Sequence, residues 1–228
     1  MLFSRSELKL KGLSINAADA SIVNGTALRN MENLFSSMDH QIHAKQFCSF
    51  GSLKDQLSLL PYFNPEVLQR LFVYERHESE PFLETLRDLV KLDQWNNLTT
   101  LSLNFRYRNP FVFYPVEHFV KYEEIGLNDL IRTINDSPEI FAWIRELIVT
   151  SPNIDKITAG FDISFREVCE FLDPDIEIEW DEGHNGFAYW RTPNSTFAIG
   201  RHDEDLRQLI IMKENGINWG PLRVLDDL

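Results

Sequence analysis

Cysteine is nearly absent from this chain of 228 residues. Cys48 and Cys169 stand far apart and in no paired motif, which excludes a disulfide scaffold and a cysteine zinc knuckle and leaves two reduced, buried thiols. No apolar run approaches the ~20 residues of a membrane span. The start, from Met1 to Glu7, lacks the apolar core of a signal peptide, so a cytoplasmic location is expected, with no membrane partner. No glycine-rich phosphate loop, dinucleotide fingerprint, nucleophile elbow, HExxH or CxxC occurs, so the commonest nucleotide, NAD, serine-hydrolase and zinc-protease readings lose their motif support and no cofactor is implied. Internal repeats, low-complexity tracts and Gly/Ser linkers are also missing.

Positive charge is the other shortage. Lys and Arg number 22 against 35 Asp and Glu, for a formal net charge of -13, while the 43% hydrophobic and 25% charged residues are ordinary for a globular protein. The imbalance is local. Residues 1–92 hold ten bases against eleven acids, whereas residues 93–228 hold twelve against twenty-four. Between Asp162 and Glu182 nine acids face Arg166 alone. Such a surface repels a phosphate backbone, which disfavours nucleic acid there, and attracts a basic protein.

Apolar spacing places helices in the first part. Leu28, Met31, Leu34, Phe35 and Met38 form one face of a helix within Thr26 to Phe47, and Phe82, Leu83, Leu86, Leu89 and Val90 form the stripe of another through Leu92. Ser52 caps a short helix to Leu60, and Asn64-Pro65 starts one running to Glu75. Composition and charge shift together near Asp93 to Asn97, which divides the chain into a helical layer over 1–95 and an acidic α+β part over 96–228, or marks a seam within one domain. Alternation from Leu101 to Tyr107 then reads as strand. Gly126-Leu127-Asn128 leads into a short helix to Asn135, Ser137-Pro138 opens another through Ile148, and Ser164 to Leu172 is a third.

The segment from Asp173 to Gly220 is the most specific. Ile176-Glu177-Ile178-Glu179-Trp180 alternates as a half-buried strand, and Asn185-Gly186 suits a two-residue hairpin turn because both residues tolerate positive φ. That turn sets His184 opposite Phe187 and Trp180 opposite Arg191. Trp190 then falls on the acidic face with Glu177, Glu179 and Asp181, as an exposed indole framed by carboxylates. Thr192 to Ser195 makes a second turn, and Thr196 to Ile199 completes a three-stranded antiparallel meander. After Gly200, Leu206, Leu209, Ile210 and Lys213 fall at helical spacing behind Asp203, Glu204 and Asp205, which predicts a helix stopped by Gly216. The competing reading makes Leu209 to Met212 a strand.

Several constellations carry candidate chemistry. Asp175, Glu177 and Glu179 with His184 and His202 could hold a divalent metal and activate water for phosphoester hydrolysis, with Asp175, His184 and His202 as the catalytic set. The spacing departs from the ββα metal-finger nucleases, since His184 lies at the turn and Asn194 serves a turn. His40 and His43, three apart, could share a zinc ion but lack a visible third ligand. Arg106 and Arg108 could grip an anion from one strand face. Glu177 and Glu179 lie about 7 Å apart by strand rise, a separation that glycosidase carboxylate pairs also use.

The expected fold is therefore α+β: a helical N-terminal layer and a mixed C-terminal part whose three-stranded antiparallel meander is followed by a helix. The expected function is a non-enzymatic cytoplasmic interaction protein of the immunity, inhibitor or regulatory type. Glu177, Glu179, Asp181 and Trp190 would bind a basic partner. The alternative is a metal-dependent hydrolase.

Overall fold

Strands occupy most of the apolar runs whose period the sequence leaves ambiguous. A computed structural model describes residues 9–16, 26–50, 57–75, 82–105, 115–131, 137–161, 163–180, 186–201 and 208–214. The chain divides into two compact units, Met1–Phe113 and Tyr114–Leu228.

The first unit contains β1 (Lys9–Leu10), β2 (Leu13–Asn16), α1 (Thr26–Ser36), β3 (His43–Ala44), β4 (Gln46–Phe50), β5 (Arg70–Glu75), α2 (Phe82–Leu89), α3 (Asp93–Asn96) and β6 (Thr100–Phe105). β2, β4, β5 and β6 lie side by side in chain order and pair in parallel. Parallel neighbours need crossovers, and the right-handed rule sends successive crossovers in one direction to the same face. Burial agrees. Phe47, Leu71, Val73, Leu101 and Leu103 are buried, while their neighbours Cys48, Phe72 and Tyr74 are only half-buried. On the covered side the Phe63 ring lies 4.6 Å from Phe47 and 6.5 Å from Phe35 of α1, and the Gln94 amide of α3 donates to the Phe63 carbonyl at 2.7 Å.

The second unit contains β7 (Glu124–Ile131), α4 (Ser137–Thr150), β8 (Lys156–Phe161), α5 (Phe165–Leu172), β9 (Ile178–Trp180), β10 (Gly186–Arg191), β11 (Thr196–Arg201) and β12 (Gln208–Lys213). Its strand order is β7-β8-β12-β11-β10-β9. β7 and β8 are parallel across the α4 crossover, and every other pairing in the unit is antiparallel. Ser164 caps α5: its hydroxyl accepts the Glu167 N–H at 3.2 Å, and the Glu167 carboxylate accepts the Ser164 N–H at 2.9 Å. This reciprocal pair satisfies two of the helix's orphan donors. Helices α4 and α5 pack together, with the Phe141 and Phe171 rings stacked at 5.3 Å.

These findings correct the expected fold class. The chain is sheet-rich, with twelve strands of mixed pairing among the described residues, six in each unit, β1 and β3 pairing with each other and the remaining ten forming the larger strand order, and its N-terminal part is no helical layer. The expected helix from Asn64 to Glu75 is a turn followed by β5. The Asn64 side chain accepts the Glu66 N–H at 2.9 Å in that turn instead of starting a helix. The expected helix from Gly126 to Asn135 is strand β7 as far as Ile131. The expected C-terminal helix is β12 over Gln208–Lys213, held between β8 and β11. Leu209 and Ile211 are buried on one face and Ile210 and Met212 are half-buried on the other, so Leu209 to Met212 is a continuous apolar run that periodicity cannot separate from a helix.

Candidate interaction face

Strand pairing sorts the side chains of the second unit onto two faces. Ile178, Ala188, Ile199, Ile211, Ile157 and Ile125 align across the strands in one row, and Trp190 aligns with Phe197 in the next. Helix α5 covers this side, because a Cβ at Gly186 would lie 2.7 Å from Cε1 of the Phe165 ring. Trp190 is 3% exposed, and its indole Nε1–H donates to Oδ2 of Asp173, the residue that ends α5, at 3.2 Å.

Among the described residues of the second unit no helix is recorded against the opposite face. One row across it reads Glu179, Phe187, Gly200, Ile210, Thr158, and the next reads Tyr189, Ala198, Met212, Lys156. Phe187, Tyr189, Ile210 and Met212 are half-buried, and the Phe187 and Tyr189 rings meet edge to face at 4.7 Å. Gly200 and Ala198 between them are buried. Arg191 ends the face at one strand, Glu179 stands exposed on β9, the last strand of the order among the described residues, and Glu177 is exposed just before it. The result is an apolar bed with an acidic rim.

A pocket of about 190 Å³ lies between the helix side of β9 and α5, lined by Arg166, Glu170, Asp173, Ile176 and Ile178 among others. No residue of β10 lines it.

The predicted residues are only partly brought together. Asp175, Glu177 and Glu179 are exposed on the approach to and along β9, and Asp175 donates its N–H to the Asp173 carboxylate at 3.1 Å. Asp181, His184 and His202 lie outside the described residues, as do Arg106 and Arg108. Among the described residues no group of three or more His, Cys, Asp and Glu side chains could hold a metal ion. His40 and His43 sit beyond the end of α1 and not on it. His40 Nδ1 pairs with Asp39 at 2.7 Å, which holds the Asp39 carboxyl below its ordinary pKa, and the Asn64 amide donates to His43 Nε2 at 3.5 Å.

Trp190 requires a correction, because its indole is buried under α5 instead of standing exposed beside the acids. The cause is register. Gly186 pairs with Trp180 and Phe187 with Glu179, so the connection spans residues 181–185 and Asn185-Gly186 is not a two-residue loop. The pairing differs from the expected one by an odd number of residues, and an odd slip moves every side chain of β10 to the other face. Phe187 and Tyr189 take the outward places that the sequence assigned to Trp190. Their alternation in Gly186 to Arg191 was visible in the sequence, but only the pairing says which alternate faces outward. The four-residue turn after β10 follows the sequence directly: the Thr192 N–H donates to the Ser195 carbonyl, and the Ser195 N–H to the Thr192 hydroxyl.

Among the described residues no helix is long and apolar enough to cross a membrane. Residues 26–175 match the FTH domain family. No curated protein and no solved structure matches the chain.

Proposed function

The chain belongs to the FTH domain family, and from that premise we propose that it is a non-enzymatic cytoplasmic interaction protein that binds a basic protein through the second unit. The observation that carries this reading is the helix-free face of β9 to β12, where half-buried Phe187, Tyr189, Ile210 and Met212 lie beside exposed Glu177 and Glu179. Aromatic and methionine side chains are the anchors that protein interfaces favour. Rim acids steer a cationic partner and set its orientation.

Tyr189 replaces Trp190 as the central anchor, since a buried indole cannot be offered to a partner. Glu177 and Glu179 keep their place on the rim, and the same acids disfavour nucleic acid at this face. Regulatory, inhibitor and immunity roles all fit an acidic docking surface of this kind.

Affinity capture from a cell extract tests the proposal, with the protein and two variants immobilised in parallel. The unaltered protein should retain a protein of high isoelectric point at low salt and release it at high salt. Glu177→Lys with Glu179→Lys should abolish the capture, and Tyr189→Ser should weaken it with the fold unchanged by circular dichroism. Equal capture by all three would move the interaction elsewhere.

A further inference from the structure

Resting on the acidic-face reading, we propose the mode of contact: a basic, extended segment of the partner adds as a strand along the free edge of β9. The edge, the pocket and the charges all bear on it. Among the described residues β9 ends the strand order and pairs with β10 on one side only. A terminal strand presents a row of backbone donors and acceptors that another extended chain can complete.

Side chains of an added strand would alternate between the two faces, and both faces of β9 are acidic where they would land. On the helix-free side Glu179 is exposed on β9, and Glu177, exposed just before the strand begins, would lie about 7 Å from it if the added strand extends the pairing by two residues. Residues two apart in the added strand have the same spacing, so Lys side chains at those places meet one carboxylate each. On the helix side the residue between them enters the pocket of about 190 Å³, where Glu170 and Asp173 face the single cation Arg166. The Asp173 carboxylate already accepts the Trp190 indole and the Asp175 N–H, and a carboxylate has further acceptor positions for a guanidinium. Ile176 and Ile178 on the pocket wall fit the aliphatic stem of such a residue. The pattern that fits is Lys-Arg-Lys in extended form, and β9 is short and charged, as an edge kept from pairing with copies of itself should be.

A fluorescein-labelled peptide with a central Lys-Arg-Lys, flanked by Thr and Gly, is the probe, read by fluorescence polarisation against the full chain at low ionic strength. The expected result is saturable binding that weakens on Glu177→Gln with Glu179→Gln and, separately, on Glu170→Gln. A second peptide with the same charges but N-methylated at two alternate backbone nitrogens should bind roughly tenfold more weakly, because it cannot make the edge hydrogen bonds. Equal binding of the two peptides overturns strand addition and leaves the acidic face as a plain electrostatic surface. No binding of either peptide, with capture of the basic partner still sensitive to Glu177 and Glu179, also overturns it and spares the broader reading. Loss of both would sink the broader reading as well.

Discussion

Gly186→Ala is the substitution on which the assignment of faces turns. In a strand this change ordinarily stabilises, since alanine restricts the unfolded chain, by about 0.4–1 kcal/mol. Here the new methyl would stand 2.8 Å from Cγ and 2.7 Å from Cε1 of Phe165, and closer still to Cδ1. Phe165 is 3% exposed and is the first residue of α5, so its ring has no open direction in which to swing. Overpacking of a filled core costs about 1–3 kcal/mol, which outweighs the entropic gain and leaves a net loss of roughly 1–2 kcal/mol. Urea unfolding followed by tryptophan fluorescence would show the midpoint falling without a change in slope. Phe165→Leu makes room, so the double variant should be more stable than the sum of the two single losses by about 1 kcal/mol. A neutral or stabilising Gly186→Ala, or strict additivity with Phe165→Leu, would mean that α5 does not lie over Gly186. The pairing of Gly186 with Trp180, and with it the identity of the outward face, would then be wrong.

Three further outcomes are expected. Trp190→Phe removes a part-buried hydrogen bond to Asp173 and part of a buried ring, for a loss of about 1–2 kcal/mol, whereas Tyr189→Ser on the outer face should cost under about 1 kcal/mol; thermal unfolding of the pair separates buried from outward. Burial pushes the Lys121 amine down to about 8, so Lys121 should acetylate ahead of ordinary surface lysines near pH 8 by mass-spectrometric mapping; because the folded pKa lies below the unfolded value of 10.5, its cost to stability is full below pH 8 and fades as pH rises through that window. Hydrogen bonds from Ser164 hold the Glu167 carboxyl below its ordinary pKa, so the cap stabilises α5 at neutral pH and loses that contribution as pH falls through the folded pKa; Ser164→Ala should cost about 1 kcal/mol at pH 7 and less in acid, read by urea titration at both pH values.

Local signals in this sequence were readable where they carried their own chemistry. Ser164 with Glu167 announces a helix start, and Phe165–Leu172 follows it; the stripe of Leu86 and Leu89 lies in Phe82–Leu89; Thr192 to Ser195 turns the chain by its own side-chain bonds. Strands buried on both faces or paired on both edges were not readable in the same way. Leu71 to Tyr74 and Leu209 to Met212 are short apolar runs without a period, and which element they form is decided by neighbours far away in sequence. The acidic rim was legible because charge is local. Its apolar neighbours were not, because the outward alternate of β10 is fixed by a pairing with β9 that the Asn185-Gly186 dipeptide misstates.

Hydroxyl-radical footprinting of the protein alone and in complex with its captured basic partner would test the central claim most directly. Met212, Phe187 and Tyr189 should be oxidised in the free protein and protected in the complex, while buried Trp190 stays unreactive in both. Oxidation of Trp190 at the rate of Tyr189, or protection confined to the outer surfaces of α4 and α5, would contradict the assignment of the helix-free face as the site of binding.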